Sequence, residues 1–173
     1  MRSRSLTVFA LIGIAALFAA VPAPLAAADD FETTVGRVRS VFGKPHYSRE
    51  DVTRALGQAL DASLMVLPAS DRAAEVRSRI ETVRKMFAEG ALFEDKIRQY
   101  LGLAYKSISG GQAWEIPAEL KSAYREADIM ARAKKICEAL LDSSLAEHKA
   151  GRDEAAVRDI LSFVIFVVTP VEA

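Results

Sequence analysis

Apolar residues recur along this chain at spacings of three and four, which is the period of an amphipathic helix. The stretch after residue 30 is the simplest example, since Phe31, Val35, Val38 and Phe42 fall on one helical face. No segment shows the sustained alternation of apolar and polar residues that a half-buried strand requires. The pattern therefore predicts an all-α protein.

This spacing, together with residues that stop helices such as Pro68 and Gly90, predicts a bundle of about six helices. Ser48, Ser70 and Asp153 are placed to cap the second, third and sixth helices, because their side-chain oxygens accept hydrogen bonds from free N–H groups. The predicted segments are 31–42, 48–67, 70–89, 93–108, 117–150 and 153–169.

The fourth segment carries a broad apolar stripe, which we expect to face the core. Its members are Phe93, Ile97, Tyr100, Leu101, Ala104 and Ile108.

The sixth segment is apolar on every side from Ile160 to Val168 and rich in β-branched residues, so in isolation it resembles a strand. A strand needs a partner, and no other segment provides one, so we predict a helix that is buried all round. If the chain leaves this helix uncovered, Val164, Phe166 and Val168 are candidate contacts with a partner or a second copy.

One internal similarity relates the second and third segments to the fifth and sixth. A shift of 81 residues places 60–77 on 141–158 with eight identities, among them Ser63 on Ser144. One interpretation is that two helical hairpins arose by duplication. The other is that amphipathic helices rich in Ala and Leu resemble one another by composition.

The N-terminus has the features of a secretory signal peptide. Arg2 and Arg4 precede sixteen uncharged residues, Leu6–Val21, and Ala26–Ala28 offers the small residues that a signal peptidase accepts. We predict a signal peptide over 1–28, cut after Ala28, and export to the periplasm or the cell exterior.

The predicted mature chain, residues 29–173, is expected to form a single domain. Without Arg2 and Arg4 it has 21 basic and 23 acidic side chains, so it lacks the basic field that nucleic-acid binding needs. A hydrophobic content of 51% excludes a largely disordered chain. We find no transmembrane segment in the mature chain, because its longest apolar run is too short to span a bilayer.

Cysteine and histidine are scarce, which limits metal and redox chemistry. The single Cys137 excludes a disulfide framework and falls on an inward helical stripe, so we expect it to pack in the core. His148, at the end of the fifth helix, is a weak candidate ligand for haem or a metal together with Met65 or Met86. No constellation of nucleophile, base and orienting group is recognisable.

Trp114 lies in a loop between two glycines and a proline, where one interpretation is that it anchors a protein partner. The other, which we favour, is that it folds back and seals the end of the bundle. We therefore expect an exported, non-catalytic binding or assembly protein that acts through helical faces, with a homodimer as one form. The alternatives are a carrier of a small ligand, haem or metal held inside the bundle, and a hydrolytic enzyme without a recognised motif.

Overall fold

The computed structural model describes residues 30–116 and 129–169, and within them every regular element is an α-helix. The predicted all-α bundle of six helices is confirmed. The helices are α1 (Phe31–Phe42), α2 (Arg49–Val66), α3 (Ala73–Ala88), α4 (Asp95–Ile108), α5 (Ile129–Lys149) and α6 (Asp153–Val168). The predicted signal peptide and the first part of the predicted fifth helix, 117–128, lie outside the described residues.

One of the three predicted caps is confirmed. Ser48 caps α2 in a capping box, since its hydroxyl accepts from the N–H of Asp51 while the Asp51 carboxylate accepts from the N–H of Ser48. The other two predictions are wrong. The chain makes one more turn after Ser70 before α3 begins, and Asp153 is already helical and contacts a histidine instead.

Two glycines end helices as the sequence predicts. Gly151 has a φ of 72°, and the N–H of Arg152 beyond it donates to the carbonyl of Glu147. Gly90, with a φ of 85°, ends α3 in the same way. Such left-handed positions favour glycine because a Cβ atom would strain them.

Helix α6 lies at the centre of the bundle, where it packs against α2, α4 and α5. Ten of its 16 residues are buried, against four of 16 in α3. Phe163 is the largest fully buried side chain, and its ring meets the edge of Phe42 from α1 at 5.4 Å. The prediction of a helix buried on all sides, rather than a strand, is confirmed.

The apolar stripe of α4 is narrower than the sequence predicts. Ile97, Leu101 and Ala104 are fully buried, but Phe93 and Tyr100 are exposed. Tyr100 and Leu101, about 100° apart, lie at opposite edges of the stripe, and the bundle covers only the edge that holds Leu101.

The hairpins related by the 81-residue shift share a buried contact. The Ser63 hydroxyl donates to the carbonyl of Leu60 at 2.7 Å, and the Ser144 hydroxyl donates to that of Leu141 at 2.8 Å. Both serines are completely buried. At this position the two hairpins are therefore alike both in residue type and in the burial and hydrogen bond of the serine side chain.

Candidate functional site

His148 joins three helices at one end of the bundle. Its ring contacts that of Phe31, the first residue of α1, in a tilted arrangement with centroids 4.6 Å apart. Its Nδ1 lies 2.6 Å from a carboxylate oxygen of Asp153, the first residue of α6. The neighbouring Lys149 reaches Glu32 at 3.2 Å. These contacts fasten α1 to the α5–α6 turn.

The same turn is closed by a second polar pair. The guanidinium of Arg152 donates to the carboxylate of Glu147, and this hydrogen bond holds the pKa of Glu147 below its usual range. Together with Gly151, the pair fixes the direction in which α6 leaves α5.

The two methionines proposed as ligands with His148 lie far from each other. Met86 is near the end of α3, which meets the start of α2, since Arg49 donates to the carbonyl of Gly90 at 3.2 Å. Met65 is near the opposite end of α2, the end at which Thr34 of α1 lies. His148 is at this second end through its contact with Phe31. The fold therefore separates Met86 from His148 by the length of the bundle.

The three residues of the last helix that the sequence suggests as partner contacts are inside the monomer. Val164 and Val168 have no exposed surface, and Phe166 is 4% exposed. Because α2, α4 and α5 surround α6, the chain itself covers this segment.

Trp114 is half-buried and packs against the hydrophobic core. Its indole Nε1 is buried without a hydrogen-bond partner. The structure thus directs most of this side chain towards the bundle rather than towards solvent.

A different group of apolar side chains is exposed. Phe93, Tyr100 and Leu103 are 54%, 37% and 40% exposed, and Lys96 lies among them one turn before Tyr100. We call Phe93, Lys96, Tyr100 and Leu103 the α4 face. Arg79 of α3 borders it, donating to the carbonyl of Leu103 at 3.2 Å.

The spacing of Phe93 and Tyr100 predicts core positions, so the sequence does not reveal this face. The spacing offered no warning, because α2 has the same spacing and buries both Ala59 and Leu60. Leu103 has no distinguishing feature in the sequence, since only its exposure in the folded structure separates it from an ordinary helical leucine.

Two adjoining clefts, of about 350 and 600 Å³, open where the α2–α3 loop, the end of α4 and the start of α6 meet. They share Pro68, Gly110 and Glu154. The acidic lining residues of the two clefts are Asp71, Asp153 and Glu154, and the basic ones are Arg72, Arg152 and Arg158. With equal numbers of both signs, the clefts favour neither an anion nor a cation.

The carboxyl group of Asp159 and the thiol of Cys137 are reactive groups that serve the fold. Burial raises the pKa of Asp159, whose carboxylate accepts a hydrogen bond from Ser143 at 2.6 Å across the α5–α6 contact. Cys137 is 1% exposed, and burial raises the pKa of its thiol. Its predicted core position is confirmed, and a thiol in this environment is a poor nucleophile.

In the part of the chain that the structure describes, no three His, Cys, Asp or Glu side chains are grouped so as to hold a metal ion. Within the same residues, none of the helices combines the length and apolar character needed to cross a membrane. Comparison with protein-family models, curated proteins and solved structures finds no match to this chain.

Proposed function

We propose that this protein is an exported, non-catalytic binding protein that docks another protein on the α4 face. The observation that carries the proposal is the exposure of three large apolar side chains along one segment: Phe93, which precedes α4, and Tyr100 and Leu103, which lie about one turn apart on it. Exposed apolar groups that cluster, unlike those that are scattered singly, mark interaction sites. Export rests on the signal peptide predicted for residues 1–28.

The charge on the α4 face indicates the chemistry of the partner. Among the described residues, no acidic group pairs with Lys96, which is exposed between Phe93 and Tyr100. Its neighbour Asp95 is engaged with Arg98. A complementary partner presents apolar side chains around a carboxylate, as an amphipathic helix with an acidic residue does.

We propose a non-catalytic protein because the polar side chains that most resemble acid–base pairs link neighbouring helices. His148 with Asp153 and Ser143 with Asp159 are the pairs closest to acid–base machinery, and both connect α5 to α6. Because each pair joins neighbouring helices, its role in holding the fold accounts for its geometry.

Photo-crosslinking in exporting cells tests the proposal. A crosslinking amino acid at position 103 is expected to trap one defined complex, whereas the same amino acid at the exposed Ala139 of α5 traps none. Lys96→Glu is expected to lower the yield from position 103 at least about tenfold, because it places like charges together. A trapped species of twice the mass of the chain would identify a second copy as the partner.

Equal trapping from positions 103 and 139, or a yield that Lys96→Glu leaves unchanged, would contradict docking on this face. Since Lys96 is exposed, circular dichroism should be the same for the variant and the original protein.

A further inference from the structure

One end of α4 carries an exposed aromatic residue, and the other end borders a cleft. Phe93, which precedes the helix, is 54% exposed and is the most exposed of the large apolar side chains that the structure describes. The smaller of the two clefts described above, of about 350 Å³, has Ser107, Ile108 and Gly110 as its wall on the α4 side. We call it the α4 cleft.

The α4 cleft suits an uncharged, apolar side chain. Leu67, Pro68 and Val76 form much of its remaining wall, and all three are apolar. The charged residues around this cleft and its neighbour are equal in number of both signs, so they attract neither an anion nor a cation. An aromatic side chain that fills such a cleft is a common anchor of protein interfaces.

The α4 cleft and the α4 face lie on the same side of the helix. Ser107 comes eleven residues after Lys96, and eleven residues complete three helical turns to within about 20°. Ser107 lines the cleft, whereas Lys96 belongs to the α4 face. A protein that docks on this side of α4 therefore reaches both.

Glu75 lies at the end of α4 that borders the cleft. Arg79 donates to the Glu75 carboxylate and, at 3.0 Å, to the Ser107 hydroxyl, so it holds Glu75 beside the last turn of α4. The Glu75 side chain is 54% exposed, and among the described residues only one of its two carboxylate oxygens is bonded. The second oxygen is open to a cation of a partner, and Lys96 is an exposed cation without an acidic group beside it.

These features complement one another when the α4 helices of two copies run antiparallel. A twofold axis that passes between Tyr100 and Leu103 exchanges the two ends of the helix. The pairs of positions equidistant from this axis are 93 and 110, 96 and 107, and 100 and 103. A single axis therefore brings Phe93 of one copy to the α4 cleft of the other, and Lys96 of one copy to Glu75 of the other.

We infer that the partner on the α4 face is a second copy of this chain, bound antiparallel, with Phe93 of each copy in the α4 cleft of the other. This inference rests on the proposed function and names its partner. Lys96 of each copy binds Glu75 of the other, and Tyr100 packs on Leu103 across the axis. Because the axis satisfies both clefts at once, the assembly closes at two copies.

Sedimentation equilibrium of the mature protein tests the inference. A species of twice the mass of the chain is expected, with a Kd of about 10 μM or tighter. Phe93→Ala removes the anchor and should weaken the dimer at least about tenfold. Met65→Ala is the matched control and should leave the Kd unchanged, because Met65 is 48% exposed but lies on α2.

Exchange of charges tests the antiparallel arrangement. Lys96→Glu and Glu75→Lys each bring like charges together in a dimer of one variant, so each should weaken self-association at least about tenfold. An equimolar mixture of the two variants should dimerise as the original protein does, because every such contact then joins opposite charges. Both residues are exposed, so circular dichroism should be the same for the variants and the original protein.

A mature protein that stays monomeric up to about 1 mM would overturn the inference. If crosslinking from position 103 then still traps one defined complex, docking on the α4 face holds and the partner is a different protein. A dimer that Phe93→Ala leaves unchanged would also overturn the inference, as would two charge variants that fail to associate when mixed.

Discussion

The α2–α3 and α5–α6 hairpins are similar in sequence over 60–77 and 141–158 but have different surroundings. Each buries one serine that donates to the carbonyl three residues before it, Ser63 in α2 and Ser144 in α5. Their second helices differ, because α6 is enclosed by three helices while α3 lies mainly against α2 and α4. The apolar pattern of a hairpin thus determines which residues pack between its two helices. The position of the hairpin in the bundle determines how many of its other residues are buried.

The residues at equivalent positions reflect this difference. With the 81-residue shift, the buried Phe166 corresponds to the exposed Lys85, and the buried Ile160 to the half-buried Arg79. Lysine and arginine keep the outer side of α3 in water, whereas the same side of α6 must be apolar to be enclosed.

Phe166→Asp, compared with Lys85→Asp, is expected to give the largest effect. The first change buries an unpaired charge and removes a core aromatic, so the free energy of unfolding should fall by about 4 kcal/mol or more. The second change lies on the exposed side of α3 but in its last turn, so it should lower the free energy of unfolding by about 1 kcal/mol, because a negative charge replaces a positive one near the helix C-terminus. Urea denaturation followed by circular dichroism measures both.

A folded Phe166→Asp monomer that no longer self-associates would break this comparison. In that case α6 would be an interface between copies and not an internal helix.

Gly151→Ala tests the turn between α5 and α6 against the turn between α2 and α3. Gly151 has a φ of 72°, so alanine is expected to cost about 1 kcal/mol. Ser70 is the equivalent residue and is exposed, and its side chain caps no helix. Ser70→Ala should therefore leave the Tm unchanged, and an equal loss in both variants would show that the turns are alike.

Asp159→Asn tests burial at the α5–α6 contact through its pH dependence. The folded pKa of Asp159 is raised, so the unfolded chain releases this proton more readily and stability falls as pH rises past about 3.9. Asparagine keeps an oxygen for the Ser143 hydroxyl and carries no charge. The variant should have a higher Tm than the original protein at pH 7.

This gain should vanish below about pH 3, where Asp159 is protonated in both states. Asp142→Asn is the control, because Asp142 is exposed and held by Arg39, and it should show no gain at pH 7. If Asp159→Asn raised the Tm by the same amount at every pH, the cause would be packing and not charge.

Ser63→Ala and Ser144→Ala should give the smallest effects. Each removes one local hydrogen bond inside a helix, so each should change the free energy of unfolding by less than about 1 kcal/mol. Because the two contacts are equivalent, the two changes should agree within about 0.5 kcal/mol. A larger difference, measured by urea denaturation, would mean that the hairpins resemble each other only in sequence.

Local patterns were sufficient to predict the helices and several of their ends. The spacing of Phe31, Val35, Val38 and Phe42 predicts a buried face, and all four are buried. The helical, enclosed nature of residues 160–168 also follows from composition, because a segment that is apolar on all sides is stable only when covered.

Surfaces could not be predicted in the same way, because exposure depends on which helices are neighbours. Tyr100 is exposed although its spacing fits a core stripe, and Val164, an apparent partner contact, is buried by other helices. The capping roles predicted for Ser70 and Asp153 failed for a related reason, since the tertiary path of each turn determined where the next helix begins.

The sequence by itself thus determined the all-α class, the inner stripes and the glycine-terminated ends within the described residues, because these depend on contacts within a turn or two. Only the tertiary structure decided that α6 is central, that the α4 face is open, and that the α2–α3 loop and the end of α4 line one cleft. The physical reason is that helix packing brings together residues distant in the chain, and an amphipathic pattern does not specify which helix will cover it.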